Sequence, residues 1–88
     1  MIEGRIKSLQ AIASDIAEGF IIVNPIFLKK FNEIELKQLQ ETLIKKERQI
    51  RTEPFPFNDA FQIRQRNMKL QRLNQAMVVL KNFLEGRI

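Results

Sequence analysis

The sequence contains no cysteine and no histidine. Without cysteine there is no disulfide framework and no thiolate metal site, which is consistent with a reducing compartment. Without histidine the commonest general base is missing, and Ser8 and Ser14 have no imidazole to activate them. Only three glycines occur, and none lies in a loop that holds phosphates. We therefore predict a protein that is not an enzyme, with no catalytic, cofactor-binding or metal-binding residues, no cofactor and no small-molecule substrate.

Long apolar runs are also missing. The run from Phe20 to Val23, like that from Ala76 to Leu80, is far shorter than the roughly 20 residues that span a bilayer. The amino terminus lacks the basic region followed by an apolar region that marks a secretory signal. We therefore expect a soluble, cytoplasmic protein with no membrane span.

The 88 residues are sufficient for one small domain, and 44% of them are hydrophobic, which excludes a largely disordered chain. A chain of this size buries a smaller share of its surface than a larger one does. A second copy or another partner is therefore expected to cover part of the apolar surface.

The first five residues include a stretch that resembles a protease recognition site. Ile2-Glu3-Gly4-Arg5 resembles the recognition sequence of the protease factor Xa, a common fusion scar, although the similar Leu84-Glu85-Gly86-Arg87 leaves a native origin open. We expect residues 1–5 to be a disordered N-terminus or a fusion scar with no role in the fold. Residues 6–88 then form a single helical domain.

Residues 60–84 contain no Asp, Glu, Gly or Pro, and from Leu70 onward their large apolar residues recur every three or four positions. This spacing predicts a long amphipathic helix over 59–85. Similar spacing predicts a short helix over 6–18 and another over 25–52 with a kink near residue 32. The predicted fold class is all-α, with a short N-terminal helix and a long antiparallel helical hairpin packed into a dimeric bundle.

Local signals indicate where these helices begin and end. Gly19 is placed to end the first helix in a left-handed conformation, after which Phe20 is expected to fold back and 20–23 to form a buried connector. Asn32 with Glu35 forms a second capping signal after Asn24-Pro25, which predicts the kink; one continuous helix from Pro25 is the alternative. Either Asn58 or Asp59 is expected to cap the third helix.

The two long helices are joined by Glu53-Pro54-Phe55-Pro56-Phe57, where the prolines interrupt any helix. A turn centred near Pro56 makes the helices antiparallel, so that their apolar positions pair along one seam. The predicted seam consists of Leu36, Leu39, Leu43, Ile50, Ile63, Leu70, Leu73 and Met77.

Apolar residues are concentrated near the carboxyl end of the third helix, where we expect the first helix to pack. They cover more than a two-helix seam requires, which favours a homodimer. The predicted core or dimer interface consists of Val79, Leu80, Phe83, Leu84, Phe27 and Phe31.

The formal charge of +5 lies on the outer half of the hairpin. Residues 45–72 contain eight basic and three acidic residues, and the rest of the chain contains seven of each. Such a surplus favours binding to an acidic protein surface or a nucleic acid, although a face that only maintains solubility is equally consistent. The predicted binding residues are Lys45, Lys46, Arg48, Arg51, Arg64, Arg66, Lys69 and Arg72.

Three phenylalanines, Phe55, Phe57 and Phe61, lie beside these cations. Aromatic residues next to arginine are typical of binding hot spots, but they could equally fold over the end of the seam. We predict a non-catalytic adaptor or regulator that binds a protein through the basic hairpin end. A nucleic-acid-binding protein that uses residues 45–72 and a purely structural oligomer are the alternatives.

Overall fold

The computed structural model describes residues 8–86. It has four helices: α1 (Leu9–Glu18), α2 (Pro25–Leu28), α3 (Glu33–Thr52) and α4 (Ala60–Gly86). The prediction of an all-α chain with a long helical hairpin is confirmed, and residues 8–86 contain no strand. The predicted disordered tail or fusion scar at 1–5 lies outside the described residues.

The ends of α1 follow from two residues. Ser8 is extended, and its side chain accepts a hydrogen bond from the Ala11 N–H at 3.1 Å, so it caps α1, which begins at Leu9. Residues 6 and 7 of the predicted helix lie outside the described residues. Gly19 ends the helix as predicted, with φ at +87°, a conformation that a side chain would oppose. The Phe20 N–H donates to the Asp15 carbonyl at 2.8 Å and completes the turn.

A break, and not a bend, separates α2 from α3. The Asn32 side chain accepts from the Glu35 N–H at 2.7 Å, and the Glu35 carboxylate accepts from the Asn32 N–H at 2.9 Å. This reciprocal pair holds Asn32 in an extended conformation. The interruption that we predicted as a kink near residue 32 is therefore present, as a break between α2 and α3. The alternative of one continuous helix from Pro25 is wrong.

One apolar core joins the four helices. Of the eight predicted seam residues, Ile63 and Met77 are half-buried, and the others are buried in that core. Leu28 of α2 is fully buried in the same core. The remaining core residues come from α1 and α4: Ile12, Ala13, Ile16, Ala17, Ala76 and Leu80.

The end of α1 lies beside the middle of α4. The Lys69 ammonium is 3.3 Å from the Glu18 carboxylate, and the Arg72 guanidinium donates to the Ala17 carbonyl at 2.9 Å. We expected α1 to pack near the carboxyl end of α4; these two contacts place the last two residues of α1 beside Lys69 and Arg72. The partial negative charge at the end of α1 and the Glu18 carboxylate both attract these two cations.

The molecule is flat. It measures 44 × 33 × 19 Å, so its smallest dimension corresponds to about two helix diameters. Its radius of gyration is 14.0 Å, whereas a compact chain of this length has a radius of gyration of about 12 Å. Within residues 8–86, no helix combines the length and the apolar character that crossing a membrane requires.

Candidate functional site

The hairpin tip, which we define as residues 53–61, is a tight turn. The Phe57 N–H donates to the Phe55 carbonyl at 3.0 Å, and the Asp59 N–H donates to the Pro56 carbonyl at 3.2 Å. The Asp59 carboxylate then accepts from the Gln62 N–H at 3.0 Å, so Asp59, and not Asn58, caps α4. These bonds fix the direction in which the two helices leave the tip.

The three tip phenylalanines are not folded over the seam. Phe57 is 79% exposed, Phe61 is 66% exposed and Phe55 is 40% exposed. The rings of Phe55 and Phe57 contact each other edge to face, with centroids 5.0 Å apart. The tip therefore presents apolar rings to solvent, although such rings are normally buried.

Arg66 reaches the tip from α4. Its guanidinium carbon lies 5.2 Å from the centre of the Phe55 ring, close enough for a cation–π contact. Its Nε is buried and has no hydrogen-bond partner among the described residues. Arg66 also lines a small cleft of about 210 Å³ beneath the loop, together with Glu53 and Lys69.

Three of the eight predicted binding cations are engaged within the chain. Arg51 pairs with Glu47 one turn earlier on α3, at 3.1 Å. Lys69 and Arg72 contact the end of α1, as described above. Their charges are therefore partly used to hold the fold together.

The other five cations have no ion pair with any carboxylate in the described part of the chain. Three of them are exposed and two, Lys46 and Arg66, are half-buried. This set consists of Lys45, Lys46, Arg48, Arg64 and Arg66.

The residues predicted as core or dimer interface lie in the chain's own core or pack against it. Leu80 is fully buried, and the other five are half-buried against that core. Phe27 and Phe31 pack edge to face at 5.4 Å, and Lys30 lies 5.0 Å from the centre of the Phe27 ring. Val78, which precedes Val79 in the chain and was not predicted to belong to any site, is 57% exposed.

The connector between α1 and α2 is not buried, in contrast to the prediction. Phe20 is 78% exposed and Ile22 is 79% exposed, so Phe20 does not fold back on α1, whereas Ile21 and Val23 are half-buried against the core. All four residues are apolar, so the sequence contains no alternation that would indicate which of them face outward. Their exposure is the main feature that the sequence did not predict.

The exposed connector forms one wall of a groove. This connector groove lies between residues 19–23 and α4 and has a volume of about 1010 Å³. Ile22 and Val78 both line it, with Leu70, Ala76 and Val79. It is a second candidate surface, and none of the residues that line it belongs to the hairpin tip.

Neither surface resembles a metal site: within residues 8–86, no group of three or more carboxylate or other metal-binding side chains is placed to hold an ion. Comparison with known proteins gives no matching family model, no matching curated protein and no matching solved structure.

Proposed function

We propose that this chain is a non-catalytic interaction module, an adaptor or regulator that binds an acidic protein segment at the hairpin tip. The main support is the exposure of Phe57 and Phe61 at 79% and 66%, next to cations that have no ion pair in the described chain. When a partner removes exposed aromatic rings from water, the free energy of the system falls and binding is favoured. Unpaired cations select a partner that carries negative charge.

The geometry of the tip suits anchoring. Hydrogen bonds of the turn and the Asp59 cap hold the loop, so the rings lose little backbone entropy when they bind. Arg66 is already placed against the Phe55 ring. Aromatic and arginine side chains held in this way dominate the binding energy of many protein interfaces.

Nucleic acid is the second candidate, because exposed aromatic rings beside cations also suit the stacking of single-stranded bases. Two acidic residues oppose it. Glu53 and Asp59 flank Phe55 and Phe57 in the chain, and they would repel a backbone that carries a phosphate at every nucleotide. A peptide can instead place apolar side chains between the two acids and its own carboxylates near Arg64 and Lys45.

We further propose that the chain is a homodimer. The support is that the flat molecule leaves nine large hydrophobic side chains exposed among the described residues, and a second copy could cover some of them. The exposed connector lies on a different set of residues from the tip, so a dimer could present two tips. A purely structural oligomer would also dimerise, but it would give the tip no binding activity.

The test of the tip uses a fluorescent peptide in which glutamate alternates with leucine, and a single-stranded oligothymidylate as the nucleic acid. The expected result is saturable peptide binding that is lost in Phe57→Ser and weakened in Arg64→Gln. Phe20→Ser is the matched control, since Phe20 is 78% exposed and Phe57 is 79% exposed. Lys81→Gln is the control for Arg64→Gln, since Lys81 is exposed near the other end of α4.

Three results contradict the proposal. Binding of oligothymidylate without binding of the peptide would assign the tip to nucleic acid. Equal loss in Phe57→Ser and Phe20→Ser would show that general hydrophobicity, and not the tip, drives binding. Binding of neither probe at low salt would leave the structural oligomer as the better description.

A further inference from the structure

One face of α4 is exposed and carries no charge. Between Arg72 and Lys81 the helix contains no ionisable residue. Its solvent-facing positions along the connector groove follow helical spacing and are all uncharged. We call these positions the amide stripe; they are Asn67, Gln71, Asn74, Gln75 and Val78.

An uncharged exposed stripe differs from the other exposed faces of this chain. On α3 the solvent face alternates acidic and basic residues, with Lys37 3.6 Å from Glu33. Such charges keep a helix surface in water, whereas uncharged side chains are less costly to bury in an interface. The amide stripe is therefore better suited to contact with another protein surface than the α3 face is.

The rest of the groove lining is mostly apolar. Ile22 lines it from the connector, Ile16 from α1, and Leu70 and Val79 from α4 itself. Arg72 is the one ionisable side chain along the groove among the described residues, and it donates to the Ala17 carbonyl. An occupant would therefore meet apolar side chains and amides, and one cation that already has a partner within the chain.

An amide stripe is self-complementary. In an interface with two-fold symmetry, residues near the axis meet the same residues of the other copy. Each Asn or Gln has both a donor and an acceptor, so two copies can bond to each other, whereas two lysines at the same place would repel. The stripe positions carry no charge and residues 73–80 contain no ionisable residue, so a second copy with the same +5 charge is repelled less here than at the hairpin tip.

We propose that a second copy of this chain occupies the connector groove, in an antiparallel two-fold contact between the amide stripes of the two α4 helices. Ile22 of each copy then covers the edge of the other. This inference rests on the proposed self-association and names its surface. From Asn67 to Val78 the stripe is about 16 Å long, and its midpoint lies between Gln71 and Asn74, close to the symmetry axis.

The absence of cysteine makes the contact directly measurable, because any introduced cysteine is the only one in the chain. In Asn74→Cys, mild oxidation is expected to give a covalent dimer in high yield. Gln38→Cys, on the exposed face of α3, is the matched control and is expected to stay reduced at the same concentration.

A second pair of variants tests the same surface by disruption. Val78→Lys places an ammonium group from each copy in the interface, and we expect the dimer dissociation constant to rise roughly tenfold or more. Gln38→Lys adds the same charge on α3 and is expected to leave it unchanged. Light scattering with circular dichroism measures mass and helix content together, against a chain mass of 10.4 kDa.

The outcomes separate this inference from the proposed self-association. A wild-type protein that stays monomeric at high micromolar concentration overturns both. A wild-type dimer that persists in Val78→Lys and forms no crosslink in Asn74→Cys keeps the homodimer and overturns the groove contact. A monomeric, helical Val78→Lys together with a crosslinked Asn74→Cys supports the contact.

Discussion

Arg72 donates a hydrogen bond from its guanidinium to the carbonyl oxygen of Ala17, 55 positions earlier in the chain, at 2.9 Å. The contact is partly buried and lies at the carboxyl end of α1, where free carbonyl groups and the helix dipole favour a cation. Gly19 lies directly against the same guanidinium: a Cβ on Gly19 would be 3.0 Å from the Arg72 Cζ. The residue that ends α1 and the residue that attaches α1 to α4 are therefore packed together.

Replacing Arg72 with alanine is expected to lower the free energy of unfolding by about 1–3 kcal/mol, because it removes a charge-assisted hydrogen bond and leaves the Ala17 carbonyl without it. Urea denaturation followed by circular dichroism measures this change. Arg64→Ala is the control: Arg64 is exposed on the same helix, and its removal is expected to change stability by less than about 0.5 kcal/mol. Equal effects of the two substitutions would contradict a structural role for Arg72.

Gly19→Ala is expected to destabilise the protein for two separable reasons. The left-handed conformation at φ +87° costs about 1–2 kcal/mol for a residue with a Cβ, and the new Cβ also crowds the Arg72 side chain. In the Arg72→Ala background the crowding disappears and only the conformational cost remains. A double-mutant cycle is therefore expected to show a smaller effect of Gly19→Ala in that background; strict additivity would show that the guanidinium does not crowd this position.

Sequence patterns predicted the features that depend on neighbouring residues. The Asn32–Glu35 box and the left-handed Gly19 each depend on residues within one or two helical turns. The apolar seam depends on the periodicity of apolar residues along α3 and along α4. The Arg72–Ala17 contact depends on where α1 ends relative to α4, and no local pattern specifies that. The same limit explains why the exposure of Phe20 and Ile22 was not predicted, since it depends on how the connector packs against the rest of the chain.

The cap of α4 was left open by the sequence, since Asn58 and Asp59 are both good capping residues. Asp59 accepts the bond from Gln62, so Asp59→Ala is expected to cost about 1 kcal/mol of stability. Asn58→Ala is the adjacent control and is expected to have an effect of a few tenths of a kcal/mol. Urea denaturation of the two variants decides between them, and a larger loss in Asn58→Ala would assign the cap to the other residue.

The two arginines of α4 are expected to separate stability from binding. Arg64 has no ion pair in the described chain, whereas Arg72 is committed to Ala17. Arg64→Gln should therefore weaken binding of the glutamate–leucine peptide and make it less sensitive to salt, because the complex loses one attraction between opposite charges that salt screens.

Arg72→Gln should leave the affinity and salt dependence of peptide binding close to those of the wild type while lowering the urea midpoint. Fluorescence anisotropy at several salt concentrations, alongside denaturation curves, measures both quantities on the same two variants. If Arg72→Gln weakens peptide binding as much as Arg64→Gln does, with the protein still folded, then the basic surface extends along α4 beyond the tip. The tip would then be one end of a longer binding face, and the division of the eight cations into engaged and available groups would be wrong.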